Sequence, residues 1–166
     1  MFRQGDKIVY PGHGVAEICR VVEKGFGGKT TQFFELRFIN RDVVILVPTH
    51  NVDSIGLRHL SSLEGIKGVL DLLGQPIVPA RQDVPVSNWN KRNREYQGKI
   101  RSGDLKEIGG IYRDLQHISH HKELSFGEKS LLDQTELLLS EEIAIVNNVI
   151  PERATRQLRT LVGRAL

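Results

Sequence analysis

Cysteine is almost missing from this chain: Cys19 is the only one among 166 residues. No internal disulfide can form, and no cysteine cluster can hold zinc. Long apolar runs are missing too. The longest clean one, Val43 to Val47, falls far short of the roughly 20 residues that a bilayer-crossing helix needs. The first residues, Met1-Phe2-Arg3-Gln4-Gly5-Asp6, lack the apolar core of a signal peptide, so a cytoplasmic protein with no membrane partner is expected. A catalytic constellation is also lacking. Cys19 lies in an apolar strand-like run, where burial suppresses thiolate chemistry. The serines sit mostly at helix caps, and Glu141 and Glu142 are adjacent, so they do not face each other on a helix. Neither an enzyme nor a cofactor is expected.

A strong charge excess is absent as well. Lys and Arg number 23 against 20 Asp and Glu, a net +3, which is too modest to hold nucleic acid by bulk charge alone. The charge that exists is patched. Residues 89–101 carry Lys91, Arg92, Arg94, Lys99 and Arg101 against Glu95, and residues 151–166 carry four Arg against Glu152. Residues 131–150 carry four acids and no Lys or Arg. The apolar and charged fractions, 39% and 26%, are those of a soluble globular protein. The length suits one ordinary domain or two small ones.

Two periods divide the chain. Residues 1–57 predict strands: Lys7 to Tyr10, Val15 to Val22, Gln32 to Ile39, Val43 to Val47, and a short fifth over Val52 to Leu57. Turns fall at Pro11-Gly12-His13-Gly14, Gly25-Phe26-Gly27-Gly28 and Asn40-Arg41-Asp42. Short strands joined by tight glycine turns imply a small antiparallel barrel or a strongly bent sheet. From Ser61 the period becomes helical. Ser61 with Glu64 fits a capping box, ahead of a stripe of Leu63, Ile66, Leu70 and Leu73. Residues 74–87 hold Pro76, Pro79 and Pro85, half of the six prolines, and read as a stiffened loop. Further helices are predicted from Asn88 to Ile100, after an Asp104 cap, after the Ser125–Glu128 box with a stripe of Leu131, Thr135, Leu138, Glu142, Ile145 and Val149, and after Pro151. The fold class is therefore α+β: a β unit followed by a bundle of about five helices.

Trp89 is the only tryptophan. It follows the proline loop and precedes Asn90-Lys91-Arg92-Asn93-Arg94. An aromatic wedge flanked by cations suits distortion of a nucleic-acid duplex whose phosphates are held at the same time. A core anchor at a helix start is the competing reading of the same ring. Gly28-Lys29-Thr30 resembles the end of a phosphate-binding loop, but Glu23 stands where its first glycine belongs and a strand, not a helix, should follow. A hairpin turn accounts for it better. His117, His120 and His121 cluster near a helix end, where the dipole favours them; without a supporting carboxylate pattern they predict no metal site.

Several segments together resemble the CarD/CdnL family of bacterial RNA polymerase-binding transcription regulators. They are Gly5-Asp6 with Val9-Tyr10-Pro11-Gly12-His13-Gly14, Val47-Pro48 with Asn51, Gly56-Leu57-Arg58, Asn88-Trp89, Ser102-Gly103-Asp104, Arg113-Asp114-Leu115 and Leu124-Ser125-Phe126-Gly127-Glu128-Lys129. They occur in order across nearly the whole chain. The resemblance implies a Tudor-like or SH3-like domain over residues 1–58, similar to the polymerase-interaction domain of transcription-repair coupling factors, that docks on the RNA polymerase β subunit. It implies a helical DNA-binding domain over residues 59–166 that contacts promoter DNA at the upstream edge of the −10 element. The family's wedge tryptophan corresponds to Trp89, beside Asn88, and its DNA face to Lys91, Arg92, Arg94, Arg113 and Lys129. The polymerase contacts correspond to Lys24, Leu46, Val47 and Pro48. Some members have Arg two residues before that proline; Leu46 stands here, and a charge-assisted contact is lost. The implied function is stabilisation of the open promoter complex by a monomer in the bacterial cytoplasm, associated with the nucleoid through the polymerase. The alternative is a polymerase adaptor that does not touch DNA.

Overall fold

A computed structural model describes residues 1–76 and 89–165. The chain packs as two compact units, Met1–Leu60 and Ser61–Leu166. Among the described residues no helix is long and apolar enough to cross a membrane.

The first unit is a five-stranded antiparallel sheet: β1 (Lys7–Tyr10), β2 (Gly14–Phe26), β3 (Lys29–Phe38), β4 (Val44–Pro48) and β5 (Arg58–His59). The spatial order is β4-β3-β2-β1-β5. The strands follow the predicted runs, but β2 and β3 are longer, because only Gly27 and Gly28 separate them. Their φ angles of 57° and 82° fit a tight two-residue turn whose twist matches that of the strands, so Phe26 pairs directly with Lys29. This is the hairpin expected in place of a phosphate loop. A bulge at Cys19, between Ile18 and Arg20, bends β2. It leaves Cys19 half-exposed rather than sealed in the strand run.

Two expectations change here. β4 and β5 do not pair with each other, so the sheet is open, not a closed barrel. Val52 to Leu57 is not a strand. A 3₁₀ turn at Thr49–Asn51 runs into one helical turn, α1 (Val52–Ile55), which Gly56 ends in the left-handed conformation at φ 84°. The fifth strand begins only at Arg58. Alternation sends Ile8, Ala16, Ile18, Phe34, Leu36, Phe38 and Val47 into one core, which Leu57 closes.

The second unit holds the five expected helices: α2 (Leu63–Gly74), α3 (Trp89–Ser102), α4 (Leu105–His121), α5 (Phe126–Asn147) and α6 (Pro151–Ala165). Its core joins Ile66, Val69 and Leu73 of α2 to Ile108 and Tyr112 of α4, Leu139 and Ile143 of α5, and Ala154, Leu158 and Val162 of α6. Gly109 permits the close approach of α2 and α4, since a Cβ there would stand 3.4 Å from Val69. The α5 capping box forms in full, with Ser125 and Glu128 covering each other's amides. Asp104 caps α4 through the Lys106 amide. Asn148, at φ 54°, closes α5.

Three local details differ from the sequence pattern. The α2 cap is Ser62, which accepts from the Gly65 amide; Ser61 is drawn away by Glu142 of α5, to which it donates both its amide and its hydroxyl. Leu63, placed on the buried stripe, is 66% exposed while Val69 is buried. On α5, Leu131, Thr135 and Glu142 of the expected stripe are buried, but Leu139 and Ile143 are fully buried in place of Leu138 and Ile145, because α5 packs against α2, α4 and α6 at once and a single stripe cannot describe a helix covered on several sides.

Candidate nucleic-acid interface

The site is built where α3 begins and meets the start of α5. Along α3, Trp89, Tyr96 and Ile100 recur at helical spacing and pack with Ile111 and Leu115 of α4 and Leu131 of α5. Ile100 is sealed, whereas Trp89 and Tyr96 are half-buried. The indole lies so close to the first turn of α5 that a Cβ on Gly127 would stand 2.7 Å from Trp89 Cζ2. Glycine is thus required at 127 for space rather than for φ. Beside it, Phe126 is 89% exposed. A large ring in water at a helix start is unusual, and together the two residues present an apolar rim with one ring anchored and one free.

A polar tie fixes the indole. Arg92 lies over the Trp89 ring at 5.8 Å and the Tyr96 ring at 5.6 Å. It donates to the Tyr96 hydroxyl at 3.2 Å and pairs with Glu128 at 4.0 Å. Glu128 is almost fully buried. Burial alone would raise its carboxyl, but the Ser125 amide and hydroxyl and the Lys122 ammonium hold it below the usual carboxylate range. Glu128 therefore locks the α5 cap and, through Arg92, the start of α3.

The cations named from sequence separate into two groups. Lys91 and Arg94 are exposed, on the side of α3 turned away from Tyr96 and Ile100. Among the described residues Arg94 donates only to its own helix, at the Asn90 carbonyl. Lys129 is exposed and makes a loose 3.9 Å pair with Glu123. Arg92 and Arg113 are not surface cations. The side chain of Arg92 is 18% exposed, and Arg113 is buried, donating at 2.9 Å to the Leu72 carbonyl near the end of α2. The same carbonyl also takes the Gln75 amide at 3.3 Å, and Arg113 adds a second donor that joins α4 to α2. Asn88 lies outside the described residues. Sequence spacing sets Phe126 off the Leu131–Thr135 stripe, but its motif alone does not single it out.

The polymerase candidates sit on the first unit. Directly paired residues point to the same side of an antiparallel sheet. The pairings Lys24↔Thr31, Phe33↔Pro48 and Glu35↔Leu46 therefore put Lys24, Leu46 and Pro48 on one outer face. Leu46 is 37% and its neighbour Val44 55% exposed there. Arg20 and Glu35 form a bidentate pair on the same face, at 3.0 and 3.1 Å. Val47 points the opposite way and is buried in the core, so only its backbone, on the edge strand, is open to a partner.

His117 and His121 meet edge to face at 4.6 Å in the last turns of α4.

Residues 2–61 match the family model described as CarD-like/TRCF RID domain. Residues 69–159 match the model described as CarD, C-terminal domain. A relative in Bacillus subtilis (strain 168), named "Putative transcription factor YdeB", is 26% identical over 149 residues, covering 90% of this chain and 94% of that protein. The two matched segments coincide with the sheet and with the helical bundle that carries Trp89. On these grounds the chain belongs to the CarD family, a family of transcription factors that points to RNA polymerase as the partner.

Proposed function

We propose that this protein docks on the β subunit of RNA polymerase through its sheet and stabilises the open promoter complex through its helical unit. The helical unit would grip DNA at the upstream edge of the −10 element. The observation that carries the reading is the half-buried indole of Trp89, fixed by Gly127 and Arg92 beside the exposed ring of Phe126. A rigid aromatic with one free edge is suited to fill the gap left when a base pair opens. The first turns of α3 and α5 meet at this rim. Lys91, Arg94 and Lys129 add exposed charge. Few free cations mean weak, salt-sensitive binding. Docking on the polymerase compensates by raising the local concentration of the helical unit. The outer face of β4 with Lys24, Leu46 and Pro48, and the unpaired edge of that strand, is the docking surface we assign. It acts as a monomer in the bacterial cytoplasm, held at the nucleoid by the polymerase.

Base–aromatic stacking is worth about 1–3 kcal/mol. Trp89→Ala should therefore shorten open-complex lifetime by roughly 5- to 150-fold and leave polymerase binding intact. Emission from Trp89, the sole indole, should change with a forked promoter fragment and not with closed duplex. An unchanged lifetime with unchanged emission would refute DNA contact. The second reading, an adaptor without DNA contact, draws on the inward ties of Arg92 and Arg113; it predicts a lowered Tm for Trp89→Ala and no effect on lifetime.

A further inference from the structure

The helical unit carries a second basic surface, and it is not part of the rim around Trp89. The four basic residues of 151–166 are all Arg. Arg159 is used internally: it forms a bidentate pair with Glu136 at 2.7 and 3.1 Å. Arg153, Arg156 and Arg164 are different. All three are exposed, and among the described residues none has an acidic partner. They line one open groove of about 620 Å³ together with Asn147, Val149 and Leu161. Among the described residues no acidic side chain lines it. Val149 and Leu161 pack on the helical core from below and give the groove an apolar floor.

The spacing defines the shape of an occupant. Arg153 and Arg164 are eleven residues apart on one helix, so they stand about 16 Å apart along its axis. Arg153 and Arg156 are near neighbours of like charge, an arrangement that slightly destabilises the helix bearing it. Arginine presents a planar fork matched to carboxylates, whereas a solubilising role is met equally by lysine. Carboxylates and phosphates would both satisfy the forks. The apolar floor favours the former, since a phosphodiester backbone has nothing to place on Val149 and Leu161, while an amphipathic peptide does.

We propose that the α6 groove is a docking site for an acidic amphipathic protein segment, about three helical turns long, whose carboxylates pair with Arg153, Arg156 and Arg164 and whose apolar side chains rest on Val149 and Leu161. The segment belongs to a partner protein, so the helical unit has a protein-binding face separate from its DNA rim.

The test uses the full chain and a fluorescein-labelled 14-residue helical peptide with Leu along one face and Glu on its flanks. Anisotropy should show saturable binding. Arg153→Glu/Arg164→Glu changes only exposed residues; it should retain the wild-type Tm, weaken binding at least tenfold, and gain affinity for the peptide with Lys in place of Glu. Replacing the peptide's Leu by Ser should weaken binding to the wild type at least tenfold. Trp89→Ala should leave peptide binding unchanged, and the arginine variant should keep the wild-type open-complex lifetime, so this site and the DNA rim fail or stand independently. Absence of saturable binding, equal binding by the charge-reversed variant, or equal binding of the Ser peptide would overturn the proposal. So would a duplex DNA that competes for the groove and loses affinity with the same two substitutions.

Discussion

Gly127 has no room for even a methyl group. The 2.7 Å separation between its hypothetical Cβ and Trp89 Cζ2 is far inside van der Waals contact, and an aromatic ring cannot bend aside; it must move as a body. Ala in a helix normally stabilises by up to about 1 kcal/mol relative to Gly, whereas overpacking costs about 1–3 kcal/mol. Gly127→Ala is thus expected to be neutral to modestly destabilising while it expels the indole from its seat. Emission of the sole tryptophan should shift to the red and become more accessible to acrylamide, and the open-complex effect assigned to Trp89 should weaken without loss of the fold. An unshifted spectrum would show that the ring is not seated on α5. At this scale Arg92 matters for position more than for charge: stacked over two rings and paired with buried Glu128, it has little left for a phosphate.

Between elements, a polar group gathers around Glu136, where α4, α5 and α6 meet. The buried Tyr112 hydroxyl donates to Glu136 at 2.8 Å, and Arg159 adds its bidentate pair. Burial, together with the adjacent carboxylate, pushes the Tyr112 phenol well above its ordinary range, so it stays a donor at neutral pH. Burial would raise the Glu136 carboxyl as well, but Arg159 and Tyr112 outweigh it and the net direction is downward. A carboxyl with a depressed folded-state pKa contributes stability that is present above its unfolded value and lost as pH falls through the folded one. Acidification below about pH 4.5, the ordinary glutamate value, should therefore weaken the helical unit. Glu136→Gln should cost about 1 kcal/mol at pH 7 and less at pH 3, so the two melting curves converge in acid. Parallel curves at all pH values would exclude this linkage.

For the whole molecule, each unit owns a hydrophobic core. Ile8 is fully buried in the sheet core and Leu139 in the bundle core. Truncating such a residue costs about 2–5 kcal/mol. Ile8→Ala is expected to lower the melting of the sheet while leaving the helical transition in place, and Leu139→Ala the reverse, as followed by far-ultraviolet circular dichroism. A single transition displaced equally by both would mean that the two units unfold as one. Separate cores suit the function proposed above, in which one half docks on a partner and the other reaches DNA.

The organisation of this protein was written in local signals. A change of period near residue 60, a two-glycine turn at Gly27-Gly28, the Ser125–Glu128 box, Asn148 and Pro151 each act within a few residues, so most strands and helices could be read directly, but not the helical turn at Val52–Ile55 or the Ser62 cap. Even Trp89 stood out, because one indole before a basic run needs no fold to be noticed. What only the tertiary structure decided is which groups are already occupied. Arg113 finds its acceptor 41 residues away in Leu72, Ser61 finds Glu142 81 residues away, and Arg92 finds Glu128 across a helix junction. A charge is fixed by its residue type, but whether it remains free for a ligand depends on what the fold brings within reach of it, and no spacing along the chain encodes that distance.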